Sequence, residues 1–181
     1  MYDAALRVFR RDGFGTCRID DIAKAAQVSR GTFYFHFPTK EDVLVQLLRE
    51  SERGVVAILS GLSPTAPLLA VLEATAKAIS DAWQHDSSLV LEIASTGLRL
   101  VASSLERDAE PVRAALTPYF RAAAERGELM GLVPPEALAD FYLVNTLAAM
   151  VAWCGNPALS LHEMLQGVST LFLRGAQAPG H

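Results

Sequence analysis

Apolar residues recur at helical spacing along almost the whole chain, with turn-forming residues between the runs. Over Tyr2–Arg11, Ala5, Leu6 and Phe9 fall on one side and Arg7, Arg10 and Arg11 mostly on the other, which predicts an amphipathic helix. Asp12-Gly13 ends it, with Gly13 as the C-terminal cap. Ile19, Ile22, Ala23 and Ala26 repeat the pattern over a short second helix. Asp20 and Asp21 sit in its first turn, where the helix dipole favours acids. Ser29 is a good N-cap for a third helix, and Pro38 stops it. Thr39 then caps a long fourth helix over Lys40–Leu59. Asp42, three residues on, is an acidic stand-in for the Glu or Gln of a capping box. Gly61 to Pro67 breaks the periodicity. Five further helices are predicted: Leu68–Gln84, Leu89 to about Ser103, Pro111–Gly127, Pro135–Trp153 and Leu161–Arg174. Gly155-Asn156-Pro157 reads as a stop, and Gly175 onward as a frayed tail. The expected fold is all-α: a three-helix domain over residues 1–46, then a helical bundle over residues 47–181.

The stretch VSRGTFYFHFPTKEDV, from Val28 to Val43, is the most unusual in the chain, because five aromatic rings follow one another from Phe33 to Phe37. Alternation of Phe33, Phe35 and Phe37 fits a β-strand. An aromatic platform for single-stranded bases is a second reading, although it needs a sheet or barrel to display the rings. The Ser29 cap and the lack of a partner strand favour a short helix. On such a helix Phe33 and Phe37 lie i, i+4 and point inward, Thr32 and His36 share another face, and Arg30 and Tyr34 a third; Phe35 stays ambiguous.

Two short helices joined by a tight turn make a helix-turn-helix, whose second helix enters the DNA major groove. The residue types suit that role. Arg30 forks onto guanine or phosphate, and Thr32 bonds a base or meets a thymine methyl. Tyr34 and His36 carry polar tips for phosphate oxygens, Ser29 and the helix start suit a phosphate, and Gly31 allows close approach. Lys40 is expected to pair its ammonium with the DNA backbone.

Charge sharpens this picture. The net charge of -4 is unevenly spread: Met1–Lys40 holds seven Lys/Arg against four Asp/Glu, and the remainder nine against sixteen. The basic excess is either ordinary variation or a polyanion footprint, and it lies in the segment that carries the aromatic rings. Half the residues are apolar (51%), enough for a sizeable core. The two cysteines, Cys17 and Cys154, make no disulfide framework. No secretory leader is read at the start, and the nearly apolar run Phe141–Cys154 is shorter than a bilayer needs, so a cytoplasmic protein without a membrane partner is expected. His36, His85, His162 and His181 are far apart, and no P-loop, G-x-S-x-G or G-x-G-x-x-G occurs; no metal, no cofactor and no enzyme is predicted.

The run GFGTCRIDDIAKAAQVSRGTFYFHFPTKEDVLVQLL resembles the DNA-binding half of the TetR family of transcriptional repressors, over about residues 4 to 48. Motif order, spacing and the FYxHFxxKE ending all match, while the rest matches in helix count and in an apolar helix followed by LFLRG. The resemblance implies an all-α homodimer on a palindromic, double-stranded operator, released by a small-molecule effector. It places DNA contacts on Thr16, Ser29, Arg30, Thr32, Tyr34, His36 and Lys40. Two departures stand out. Gln27 replaces the usual turn glycine and must accept a left-handed backbone, costing of order 1 kcal/mol. The first helix is under way at Tyr2, without the arm many relatives place before it; the expectation is either weaker DNA binding or a start that has been trimmed.

By the same analogy the bundle dimerises and senses. Phe141–Cys154, apolar nearly all round, and Leu161–Phe172 are the expected dimer seam, the alternative being a central helix of a monomer core. Trp83, Tyr119, Phe120, Phe141 and Asn145 are the candidates for lining a pocket, with Asn145 expected to be a buried amide needing partners. Few charges lie in these stripes, so a largely apolar effector is expected; Arg99 is read as solvated, with an anchor for an anionic group as the alternative. The competing reading is a helical small-molecule binder or interaction protein that has lost operator binding.

Overall fold

A computed structural model describes residues 1–83, 86–102, 111–155 and 158–176. Among these, nine helices occur: α1 (Tyr2–Asp12), α2 (Ile19–Ala26), α3 (Arg30–His36), α4 (Glu41–Ser60), α5 (Leu68–Trp83), α6 (Ser87–Ala102), α7 (Pro111–Glu125), α8 (Pro135–Gly155) and α9 (Leu161–Ala176). The expected stop at Asn156-Pro157, Gln84, Ser103, His85, the tail beyond 176 and His181 lie outside the described residues.

Local chemistry sets the boundaries. The Gly13 N–H closes α1 on the Phe9 carbonyl at 2.9 Å, with φ at 82°. Ser29 Oγ accepts from the Thr32 N–H at 3.0 Å and caps α3. Thr39 and Asp42 exchange capping bonds, Thr39 N–H to Asp42 Oδ2 at 2.7 Å and Asp42 N–H to Thr39 Oγ1 at 3.3 Å. The aromatic stretch is therefore helix, ending at Phe37, rather than strand.

Gln27 adopts the left-handed conformation at φ 56°, ψ 41°, as the turn between α2 and α3 demands, and its N–H bonds the Ala23 and Lys24 carbonyls. The Cβ strain is about 1 kcal/mol, partly offset by the larger unfolded-state entropy of a glycine. Gln27→Gly is thus expected to stabilise by a net of about 0.5 kcal/mol, raising Tm by roughly 1–2 °C in a calorimetric scan. A lower Tm in the glycine variant would mean that the Gln27 side chain contributes more than its strain costs.

α1, α2 and α3 pack around Phe9, Ile22, Phe33 and Phe37. That core does not close on itself: it continues through Val43, Leu44 and Leu48 of α4 to Trp83, Ile93, Met150 and Leu165 of the bundle. A second core, built on Leu59, Leu72, Leu116, Phe120 and Tyr142, fills the far end. Tyr142 is fully buried and hydrogen-bonds the Leu72 carbonyl at 3.0 Å and Ser169 Oγ at 3.0 Å, tying α8 to α5 and α9; burial pushes its hydroxyl up to about 12. A surface ion pair adds to the join between the halves, with Arg10 of α1 on Asp86 before α6 at 2.6 Å. α8, at 21 residues, is by itself long and apolar enough to cross a bilayer, longer than the run expected from sequence; here it packs against α6, α7 and α9.

Candidate DNA-reading face and effector cavity

The rings of α3 divide by position. Phe33 and Phe37 are buried, 0% and 9% exposed, whereas Tyr34, at 44%, and Phe35, at 84%, face outward. Arg30, Thr32 and His36 are exposed on the same helix. The Ser29 and Thr32 hydroxyls are 2.9 Å apart. The Arg30 guanidinium lies 3.2 Å from Asp20 of α2, and its bond to the Tyr34 hydroxyl, then the Asp20 charge, hold it further toward the charged form. Both partners of this ion pair are well exposed and screened by water, so freeing Arg30 for another anion costs little.

Thr16 is exposed in the α1–α2 connection, its hydroxyl donating to the Asp12 and Gly13 carbonyls. Lys40 differs from expectation. Its ammonium donates to the Phe14 carbonyl at 2.7 Å and sits over the Phe14 ring, 4.5 Å from the centroid. It braces the α1–α2 connection against the start of α4, because the loop carbonyls there have no helical partner. A shallow groove beside α3 brings Arg18, Arg30, Tyr34 and Lys40 together. Arg18 was not singled out from sequence; its signal is its place at the N-cap of α2, directly before the motif. Cys17 is packed away in the same loop, 5% exposed, and burial pushes its thiol up, which does not suit a reactive thiolate.

In the bundle, one cavity of about 80 Å³ lies between α4, α5, α6, α7 and α8. Its wall is mostly apolar, including Val55, Ile79, Trp83, Ile93 and Met150, with Arg49, Glu52 and Arg113 among the polar members. Arg113 pairs with Asp140 at 2.6 Å. Of the five expected lining residues only Trp83 belongs to it. Tyr119 is core, its hydroxyl donating to the Leu59 carbonyl at 2.7 Å, and Phe120 is fully buried with its ring 6.0 Å from that of Phe172. Phe141 is 52% exposed, and Asn145 is exposed, its amide bonding the Phe141 carbonyl at 2.6 Å. Arg99 is exposed and bonds Thr96 Oγ1 at 2.9 Å, away from the cavity wall. Helical periodicity could not separate these roles, since core, cavity wall and outer seam repeat with the same period.

The arrangement is a helix-turn-helix whose outward face carries Arg, Thr, Tyr and His, joined to an all-α bundle, the architecture of helix-turn-helix DNA-binding domains. The sequence profile described as bacterial regulatory proteins, tetR family, matches residues 1–47. Over residues 1–47 the chain is thus similar to the DNA-binding part of this family of regulators. Among curated relatives it is 40% identical over 55 residues to the HTH-type transcriptional regulator AcrR of Shigella flexneri, covering 30% of this chain and 26% of that protein. It is 48% identical over 44 residues to EthR of Mycolicibacterium smegmatis, covering 24% and 20%. The match thus spans about a quarter or less of the length of these relatives. Along the whole chain the fold is that of Thermus thermophilus FadR, a TetR-family transcriptional repressor solved with lauroyl-CoA: TM-score 0.71, 26% identity, 99% of this chain and 96% of that one. The Bacillus halodurans fatty acid degradation regulator FadR shares the fold, with TM-score 0.68, 22% identity, and 96% and 93% coverage.

Proposed function

We propose that the protein is a cytoplasmic, ligand-responsive repressor that binds a palindromic operator as a homodimer and is released by a small, largely apolar effector. α3 lies in the major groove, with Arg30 and Thr32 on base edges and Ser29, Tyr34, His36 and Thr16 on or near the phosphates; Arg18 joins them from the groove beside α3. Lys40 acts by bracing the motif. The observation that carries this reading is α4. Its first turns pack on the reader domain through Val43 and Leu44, while Leu48, Arg49, Glu52 and Val55 form one wall of the apolar cavity.

The cavity supplies a mechanism. Ligand sites usually enclose about 300–1,000 Å³, so an effector larger than this cavity must push a wall outward. Displacing α4 changes the separation of the two reader helices, which must match successive major grooves about 34 Å apart. The lauroyl-CoA of the FadR neighbour and the apolar wall here both favour an effector with a hydrocarbon or aromatic body.

Selection of genomic fragments by the purified protein at moderate salt tests the reading. The expected result is enrichment of a short palindrome, released by apolar compounds that also change the fluorescence of Trp83. No enrichment after stripping any co-purified ligand would overturn it.

A further inference from the structure

Phe35 is the most exposed large apolar side chain among the described residues, at 84%. Among the described residues, no packing partner in the core accounts for an aromatic ring there. At 3.6 residues per turn it lies opposite Phe33 and Phe37, at the centre of the outward face of α3. Arg30 and Tyr34 flank it on one side, Thr32 and His36 on the other, and no carboxylate occurs on the helix. Its ring meets the His36 ring edge-on, with centroids 5.2 Å apart. One turn earlier on the same face stands Gly31. A Cβ there would meet only Ser29 Oγ, at an ordinary 3.6 Å, and its φ is not in the left-handed range. The fold does not require glycine at this position, and inside a helix glycine costs up to about 1 kcal/mol relative to alanine. The face therefore holds a bare backbone, then an apolar ring, then a rim of hydrogen-bond donors.

A phenyl ring has nothing to offer a phosphate. The major-groove edge of thymine, however, presents a C5-methyl beside an O4 acceptor, and phosphates lie beyond. We infer that Phe35 is a sequence-reading residue that packs on a thymine C5-methyl in each half-site, with Gly31 admitting the duplex close enough for that contact. The inference rests on α3 being the reading helix proposed above.

The test uses the selected operator with each thymine replaced in turn by deoxyuridine, which removes the methyl and keeps the base pair. For the wild-type protein, one thymine per half-site is expected to lose about fourfold in affinity when demethylated, the worth of one buried methyl-sized group. Phe35→Ala, at an exposed position, is expected to fold normally and to show no loss at that thymine. Gly31→Ala is expected to melt no lower than wild type yet bind the operator more weakly. Equal responses of wild type and Phe35→Ala at every thymine would overturn the inference while leaving α3 as the reader. Failure to select any DNA would instead overturn the reading of α3, and this inference with it.

Discussion

Replacing Phe141 and Leu171 together by glutamate is expected to leave each chain folded, to halve the particle mass in solution, and to weaken operator binding by at least about 100-fold. Both side chains are out in water, 52% and 72% exposed, so their substitution removes little packing within the chain. α8 is apolar on every side, yet α6, α7 and α9 cover only part of it; Phe141, Asn145, Ala148 and Ala152 form an exposed strip at helical spacing. On α9, Gly167 and Leu171 leave a second small-and-apolar strip exposed, and α9 packs beside α8. Two copies joined on these strips would form a four-helix seam. Four carboxylates placed in such a seam would face one another without partners, which is costly. The loss of affinity follows because a monomer engages one half-site and forfeits the local concentration that its twin provides. Light scattering and operator titration read the two effects separately. An unchanged mass in the double variant, or a wild-type protein that is already monomeric, would remove α8 and α9 from the seam.

Phe33→Ala is expected to cost about 3–5 kcal/mol, the usual penalty for emptying a fully buried phenylalanine site. The ring is 0% exposed and meets Phe37 at 5.8 Å and Tyr34 at 5.9 Å between centroids. A protein of this size has roughly 5–15 kcal/mol of stability in total, and its Tm moves about 2–4 °C per kcal/mol. A fall of about 10 °C is therefore expected, with loss of operator binding near the new midpoint. The continuous core from α1 to α9 makes the consequence global: far-ultraviolet melting of the bundle should shift as well. Tyr34→Phe, one residue along, removes only an exposed hydroxyl and should leave the melt alone while weakening binding to all sequences alike. A variant that lost DNA binding through Phe33→Ala but kept the wild-type melt would place Phe33 in the interface and contradict its burial.

Which features were legible in the sequence follows from the range of the forces involved. The left-handed Gln27 was read from the family resemblance, whose turn usually carries glycine. The boundaries of α1 to α4, the Ser29 and Thr39 caps and the shared face of Phe33 and Phe37 depend on spacing and partners within four residues. Local spacing carries that information whole. The outward face of α3 was legible for the same reason, because a seven-residue helix with two buried rings leaves its other side chains outside.

The cavity in the bundle was not legible. Tyr119 and Trp83 both sit on inward faces, but Tyr119 finds a carbonyl 60 residues away and Trp83 borders empty space. Phe141 and Asn145 belong to a helix so evenly apolar that its pattern names no inner side. Lys40 could have reached for phosphate by its position, and only the fold placed the Phe14 carbonyl within 2.7 Å of it. The sequence by itself determined the helices, their caps and which side chains α3 turns outward, because short-range hydrogen bonding and periodicity decide those. Only the tertiary structure decided which buried faces meet a neighbour and which meet a cavity, because that depends on how α4 to α8 pack across stretches of chain that no local pattern connects.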